Sequence, residues 1–420
     1  MRHSTTNTYQ LKREILGLSK RLSEGTHKDQ QKFTGDMLYG VLASGSCILS
    51  RMADCLKEDI HKKNTVERLS RKLTENIPEE INEHYLTLMQ SISANDSPIF
   101  VDDSDVVKPY GKSFEALGLV RDGSALTPTI QKGYHVTEIT ALSERTRQPF
   151  SLYSLIHSSH AKEYVSVNDI TFKALKKTMS RFPKSTYIFD RGYDMNSLFG
   201  FMKRNHAQFI VRLTEKRKLF HKGKWLKATT LRDSHKGKLK SHVMFNGKKT
   251  ECWFTCVNAQ ITESRTNLKL VLVYGLSHTP MMLATNRPIK SKEDVISVAR
   301  LYFMRWRIEE YFRFKKQHLG FEGFRIRSLK AMNALNQYLS YAIGILCVLA
   351  EKRRSSALRM SVLCSANPQK EEEKVSFLLY RIGLGVCRIL AQAYTGIREW
   401  FHIGRLKFHQ LLIHGLSLAY

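Results

Sequence analysis

Leu301-Tyr302-Phe303-Met304-Arg305-Trp306-Arg307-Ile308-Glu309-Glu310-Tyr311-Phe312-Arg313-Phe314-Lys315-Lys316 contains no Gly or Pro, and residues that favour helix dominate it. At about 100° per residue with Tyr302 as zero, Arg305 falls near −60°, Glu309 near −20° and Lys316 near −40°. One narrow stripe of the predicted helix therefore carries all four polar-capable side chains, while Phe303, Met304, Ile308 and Phe314 point elsewhere and can pack inward. Two readings meet on this stripe. Ion pairs such as Arg305 with Glu309 decorate many solvated helices and contribute a few tenths of a kcal/mol. A carboxylate between cations also suits a metal ligand flanked by groups that grip phosphates. The second reading needs further acids from elsewhere in the chain.

Two stretches upstream supply them. Ile99-Phe100-Val101-Asp102-Asp103-Ser104-Asp105 follows the turn cluster Asn95-Asp96-Ser97-Pro98 and is a short apolar run ending in acids. Thr186-Tyr187-Ile188-Phe189-Asp190-Arg191-Gly192-Tyr193-Asp194 has the same form. A buried strand that delivers a carboxylate at its C-terminal end is how α/β proteins present catalytic groups. Without function, the first is an acidic turn and Asp190 only caps a helix at 195–204. Between the two, His135–Leu142 and Phe150–Ile156 alternate as half-buried strands, a helix is predicted around Asp169–Arg181, and Gln208–Leu213 reads as a further strand. Loops are predicted at 108–111 and 121–124. The class is α/β.

The spacing Y-x2-R-x3-E-x6-K, carried without a gap by Tyr302, Arg305, Glu309 and Lys316, resembles the signature of a large branch of the DDE insertion-sequence transposases. Trp306-Arg307-Ile308-Glu309-Glu310 looks like that family as well. The run at 99–105 is similar to the family's first block, a hydrophobic run followed by D-x-S/T. That alignment selects Asp102, with Ser104 as the hydroxyl; Asp103 and Asp105 stay open as candidates. The run at 186–192 resembles the second block, which ends in D-R-G and gives Asp190. Met281-Met282-Leu283-Ala284-Thr285-Asn286 resembles the apolar-Thr strand leading into the Glu helix. Some relatives carry Trp where Met281 stands and use it to hold a flipped base.

The resemblance covers roughly residues 97–330. It implies a ribonuclease-H-like catalytic core at 97–330 with an inserted β-rich subdomain at 216–286. Flanking it are a helical N-terminal DNA-binding region at 1–92 and a helical C-terminal region at 331–420 suited to dimerisation. Asp102, Asp190 and Glu309 are implied as catalytic metal ligands, and Tyr302, Arg305 and Lys316 as the DNA-binding residues. Three carboxylates with no competing His or Cys set suit Mg²⁺, with Mn²⁺ as substitute, in a two-ion hydrolytic site. The activity implied is cut-and-paste transposition. It comprises nicking at terminal inverted repeats of double-stranded DNA, a hairpin intermediate, release, and strand transfer into target DNA, with a homodimer joining the two ends. A ribonuclease-H-like nuclease without strand transfer and a catalytically silent DNA-binding derivative are the alternatives.

The flanks agree in texture. Phe33, Met37, Val41 and Leu42, then Ile48, Met52, Leu56 and Ile60, recur at helical spacing, and Asn64-Thr65-Val66-Glu67 is a capped start for a helix through Leu69 and Leu73. Strands are predicted at Leu239–Phe245, Glu251–Asn258, Leu268–Tyr274 and Met281–Thr285, with Asn246-Gly247 as a hairpin turn. Arg325, Arg327 and Lys330 extend the basic surface. Leu335–Ala350 is an apolar helix, Lys370-Glu371-Glu372-Glu373-Lys374 a charged linker, and the helices through Trp400 suit a subunit contact or plain packing.

Composition narrows the partners. The 420 residues suffice for two or three domains, and 67 Lys plus Arg against 38 Asp plus Glu give a net charge of +29. Such an excess repels itself unless a polyanion neutralises it, which favours nucleic acid. No run of about 18 apolar residues suggests a membrane span, and Met1-Arg2-His3-Ser4 opens no signal-peptide core, so a cytoplasmic, nucleoid-associated, bacterial-type protein is expected. The seven cysteines are scattered and odd in number. They read as reduced thiols filling apolar sites, and Cys252 and Cys256, the one close pair, would face one side of a strand.

Overall fold

In the computed structural model, the described residues are 2–122, 129–245, 247–351, 356–366, 378–398 and 400. Five helices come first: α1 (Arg2–Leu22), α2 (Lys28–Ser44), α3 (Leu49–Leu56), α4 (Lys62–Lys72) and α5 (Glu79–Gln90). The apolar positions read from the sequence are buried here, Phe33, Met37, Val41, Met52 and Leu56 among them, but Ile60 lies past the end of α3 and is exposed. The fourth helix begins at Lys62 rather than at Asn64, and His61 at its start makes no side-chain cap.

The sheet is built from β1 (Ile99–Val107), β2 (Gly118–Asp122), β3 (Thr129–Leu142), β4 (Pro149–His157), β5 (Thr186–Phe189) and β6 (Gln208–Arg212). It continues through β7 (Lys218–His221), β8 (Lys224–Lys227), β9 (Leu239–Phe245), β10 (Lys248–Ile261), β11 (Thr266–Tyr274) and β12 (Met281–Thr285). All twelve strands form one sheet in the order β2-β3-β1-β5-β6-β12-β11-β10-β7-β8, with β4 on β3 and β9 on β10. β1 runs antiparallel to β3 and parallel to β5, and β5 parallel to β6. This mixed α/β arrangement is consistent with a ribonuclease-H-like core. The strands of 216–286 hydrogen-bond into the same sheet, because β12 pairs with β6.

Alternation decides which side chains face which layer. Ile99 and Val101, Tyr187 and Phe189, and Phe209 and Val211 join one core cluster, which also takes Leu175 of α6 (Val167–Arg181) and Leu198 of α7 (Asn196–Arg204). Phe100, Ile188 and Ile210 join a second cluster on the opposite face, with Val295, Val298 and Ala299 of α9 (Lys292–Phe303). Each fully buried large apolar side chain stabilises by roughly 1.5–3 kcal/mol, so the layers are fixed by many such positions together. Between β8 and β9 stands the short α8 (Ala228–Asp233).

After the sheet come α9, α10 (Trp306–Arg313), a π-helical turn (Phe314–His318), α11 (Leu329–Glu351), α12 (Ser356–Ala366) and α13 (Leu378–Ala391). By length and composition α11 would pass for a membrane span, but most of it is buried inside the fold. The predicted linker at 370–374 lies outside the described residues, as do Gly123 and Ser124 of one predicted loop and Asn246 of the predicted hairpin turn. The seven cysteines are free thiols, Cys364 exposed and the rest buried or half-buried.

Candidate active site

The stretch read as one helix is three pieces. Helix α9 begins upstream at a capping box in which Ser291 Oγ accepts from the Asp294 amide and the Asp294 carboxylate accepts from the Ser291 amide. It ends at Phe303. Arg305 N bonds to Tyr302 O at 2.9 Å and Ile308 N to Arg305 O at 3.0 Å, three residues back instead of four, which tightens the chain between α9 and α10. Past Arg313 the chain opens into the π turn. Tyr302 therefore lies in the last turn of α9, Arg305 on the junction, Glu309 in the first turn of α10 and Lys316 in the π turn.

This junction faces β1. Strand β1 continues to Val107, so its acids sit mid-strand rather than at its end. Arg305 Nη1 donates to Asp102 Oδ2 at 2.7 Å, and Nη2 donates to Glu309 Oε1 at 2.8 Å. One guanidinium thus joins two carboxylates that stand 207 positions apart in the chain (309 less 102). Burial pushes the Asp102 carboxyl up to about 7 against the pull of Arg305, and repulsion from Asp190 and Asp103 adds to the rise. Asp190 follows the last residue of β5 and caps the 3-10 turn Arg191–Tyr193, its Oδ1 accepting from the Gly192 amide at 2.7 Å. Its charge also bears on Tyr302 and Arg305.

Asp102, Asp103 and Asp105 are separated by strand alternation. Asp103 turns to the other face, where its carboxylate accepts from Thr137 Oγ1 at 2.7 Å and Tyr193 OH at 2.8 Å. Asp105 pairs there with His135 Nδ1 at 2.8 Å and holds that imidazole above its ordinary range. Asp102 is the one aimed at Arg305 and Glu309.

Tyr302 is buried beside Arg212 at the end of β6; burial raises its hydroxyl and the neighbouring arginines Arg305 and Arg212 oppose the rise. Lys316 Nζ lies 3.2 Å from Glu322 and borders a cleft of about 240 Å³ shared with Gly45, Ser46, Arg51 and His318. Arg51 comes from α3, so the cleft lies between the N-terminal helices and the π turn. Arg325, Arg327 and Lys330 are exposed beyond it. Met281, at the start of β12, is only half-buried.

Sequence reading missed Arg212, Tyr193 and Glu138. Glu138 left a signal: in the alternating run 135–142 a lone acid sits with Val136 and Thr140 on one strand face. It is the register partner of Asp102 across β1 and β3.

The donors suit a hard cation, since Asp102, Asp190 and Glu309 offer carboxylate oxygens and two of them already share one cationic group. Among the described residues no three His, Cys, Asp or Glu side chains are gathered closely enough to hold an ion. The guanidinium of Arg305 stands between Asp102 and Glu309, and an ion bound by both carboxylates must displace it.

The family described as Transposase DDE domain matches residues 123–342, just over half of the chain. No curated protein matches it. Asp190, Tyr302, Arg305, Glu309 and Lys316 fall inside the match. Asp102 lies before it and reaches the others through the pairing of β1 with β3 and β5.

Proposed function

Since this chain belongs to the Transposase DDE domain family, we propose that it cuts DNA at the terminal inverted repeats of an insertion sequence and joins the freed ends to target DNA, cut-and-paste, as a member of the Y-x2-R-x3-E-x6-K branch. The observation that carries this reading is the bridge Asp102–Arg305–Glu309, which brings the first and last expected acids to one guanidinium.

Asp102, Asp190 and Glu309 would hold two divalent ions, Mg²⁺ or Mn²⁺, which supply activation of the attacking oxygen and charge stabilisation at the leaving oxygen. The remaining work falls to the chain's own groups. Arg305, once released from the two carboxylates, is placed to grip the phosphate beside the cut. Tyr302, buried beside Arg212, fixes the floor beneath it, and Lys316 takes the neighbouring phosphate after letting go of Glu322. In the first step water attacks phosphorus and the bond to the 3′ oxygen breaks, leaving a 3′-hydroxyl. In the second step that hydroxyl attacks a target phosphodiester and displaces another 3′ oxygen. Residues 1–92 serve end binding, the strands of 216–286 form the family's β-rich insertion, and residues 331–420 serve pairing of two subunits. The protein works on the nucleoid in a bacterial-type cytoplasm.

The test uses a labelled duplex carrying the element's own terminal repeat with Mg²⁺, comparing the wild type with Asp190→Asn. Nicking at the repeat boundary that is lost in the variant supports the reading. Binding without cleavage by either protein, in Mg²⁺ and in Mn²⁺, would assign the chain to a silent DNA-binding derivative instead.

A further inference from the structure

The side chains of Lys315 and Glu138 are 1% and 0% exposed, and they meet at 3.2 Å. Lys315 Nζ also donates to Ser154 Oγ at 3.1 Å and Ser340 Oγ at 3.2 Å. Glu138 accepts in addition from Ser154 Oγ at 2.7 Å and from Ser151 Oγ. These partners come from β3, β4 and α11, so a lysine of the π turn is tied to three elements at once. Tyr311, on the last turns of α10, meets the same Ser340 hydroxyl at 3.1 Å.

The placement of this pair relative to the acids is specific. Helix α10 is held to the sheet at its start by Arg305 on Asp102 and at its end by Lys315 on Glu138. Asp102 and Glu138 are register partners on adjacent strands. Glu309 lies between the two ties, and Lys316 follows the second directly. A π turn carries one residue more than an α turn, and its loose geometry needs tertiary support. Were it to relax to α, Lys316 would rotate by about 100° away from the cleft it borders with Arg51. A buried ion pair is also a poor source of net stability compared with apolar side chains of the same volume, so its contribution here is register.

We propose that Lys315, through Glu138, is a positioning residue that sets where Glu309 and Lys316 stand relative to Asp102; the proposal rests on the function given above. Removing Lys315 alone would strand a buried carboxylate and unfold the region, so the informative protein is the double variant Lys315→Met with Glu138→Gln, which buries no unpaired charge. Two measurements are made on the full chain. In the first, the double variant is expected to weaken binding of the terminal-repeat duplex no further than Lys316→Ala does. Its nicking rate at saturating DNA should fall at least tenfold. A double variant that nicks at the wild-type rate overturns the proposal. The second is amide hydrogen exchange without DNA or metal. Peptides covering 309–318 should exchange at least tenfold faster while those of β5 and β6 stay as in the wild type. If neither protein nicks DNA, the transposition reading fails and the exchange measurement alone decides, with unchanged protection at 309–318 overturning the positioning role.

Discussion

Arg305 stands where the expected chemistry needs a different cation. Hydrogen bonds to charged groups contribute roughly 1.5–3 kcal/mol when buried, and less here because the Glu309 side chain is 56% exposed. Replacing Arg305 by Met should therefore tighten Mn²⁺ binding about five- to thirtyfold, measured by calorimetry on the DNA-free protein. The same change should slow nicking by about 100-fold through the lost phosphate contact. Unaltered Mn²⁺ affinity would show that the guanidinium does not compete for the acids. A second residue reports on acid stability. His157 sits on Thr137 at 3.0 Å, stacks near His135 and Tyr164, and has Asp105 within electrostatic reach; burial pulls its imidazole down to about 4, and repulsion from His135 acts in the same direction. The unfolded chain binds that proton near 6.5, so stability is full above 6.5 and is lost as pH falls from there to about 4, by roughly 3 kcal/mol. His157→Gln should flatten this part of a melting-temperature profile, and an unchanged slope would remove His157 as its source. At this scale Asp102 and Asp190 stood out because each ends an apolar run, and Glu309 because of its spacing from Tyr302, Arg305 and Lys316. The sorting within β1 was not legible: that Asp103 and Asp105 turn away depends on where β1 lies between β3 and β5.

At the level of elements, the longer strands were read closely because burial on alternate faces leaves a two-residue period that survives in the sequence. The short β2, β7 and β8 went unread, and Arg121 and Asp122, expected in a loop, lie in β2. The helix through Glu309 was read as one piece, and the structure divides it. The cause is that helical propensity does not distinguish α from the tighter junction at 304–305 or the wider turn at 314–318; both are set by what Arg305 and Lys315 reach across the fold. The start of α9 was missed although Ser291-Lys292-Glu293-Asp294 announces it, a capping box ahead of an apolar run. The sheet also has a tight point. A methyl group at Gly133 would meet Val106 O at 2.4 Å and Val120 Cγ2 at 2.6 Å. Gly133→Ala should destabilise by about 1–3 kcal/mol by forcing β1 and β2 apart, read from denaturant midpoints. A loss under 0.5 kcal/mol would mean that the strands yield cheaply there.

Over the whole molecule the charge of +29 makes salt the controlling variable for the proposed DNA binding. The logarithm of affinity should fall steeply and linearly with the logarithm of salt concentration, and Lys316→Ala should lower that slope by about 1 while leaving sequence preference unchanged. A slope equal to the wild type's would show that Lys316 keeps Glu322 and touches no phosphate. The first helix also meets residues 389–396: Thr8 Oγ1 donates to Ile389 O at 3.2 Å, and Lys12 Nζ to Thr395 O at 2.5 Å and Gly396 O at 3.2 Å. That contact has a consequence during synthesis. Lys12 and Thr395 are 383 residues apart, which at ~5–20 residues per second separates their emergence from the ribosome by roughly 20–80 s. Helices α2 and α5 cover the first helix early, but its partners at 389–396 are made hundreds of residues later. The same schedule holds for the acids, since Asp102 is made long before Glu309. A nascent chain thus carries most of its sheet, with Asp102 and Asp190, before Arg305 and Glu309 exist to complete the bridge to Asp102.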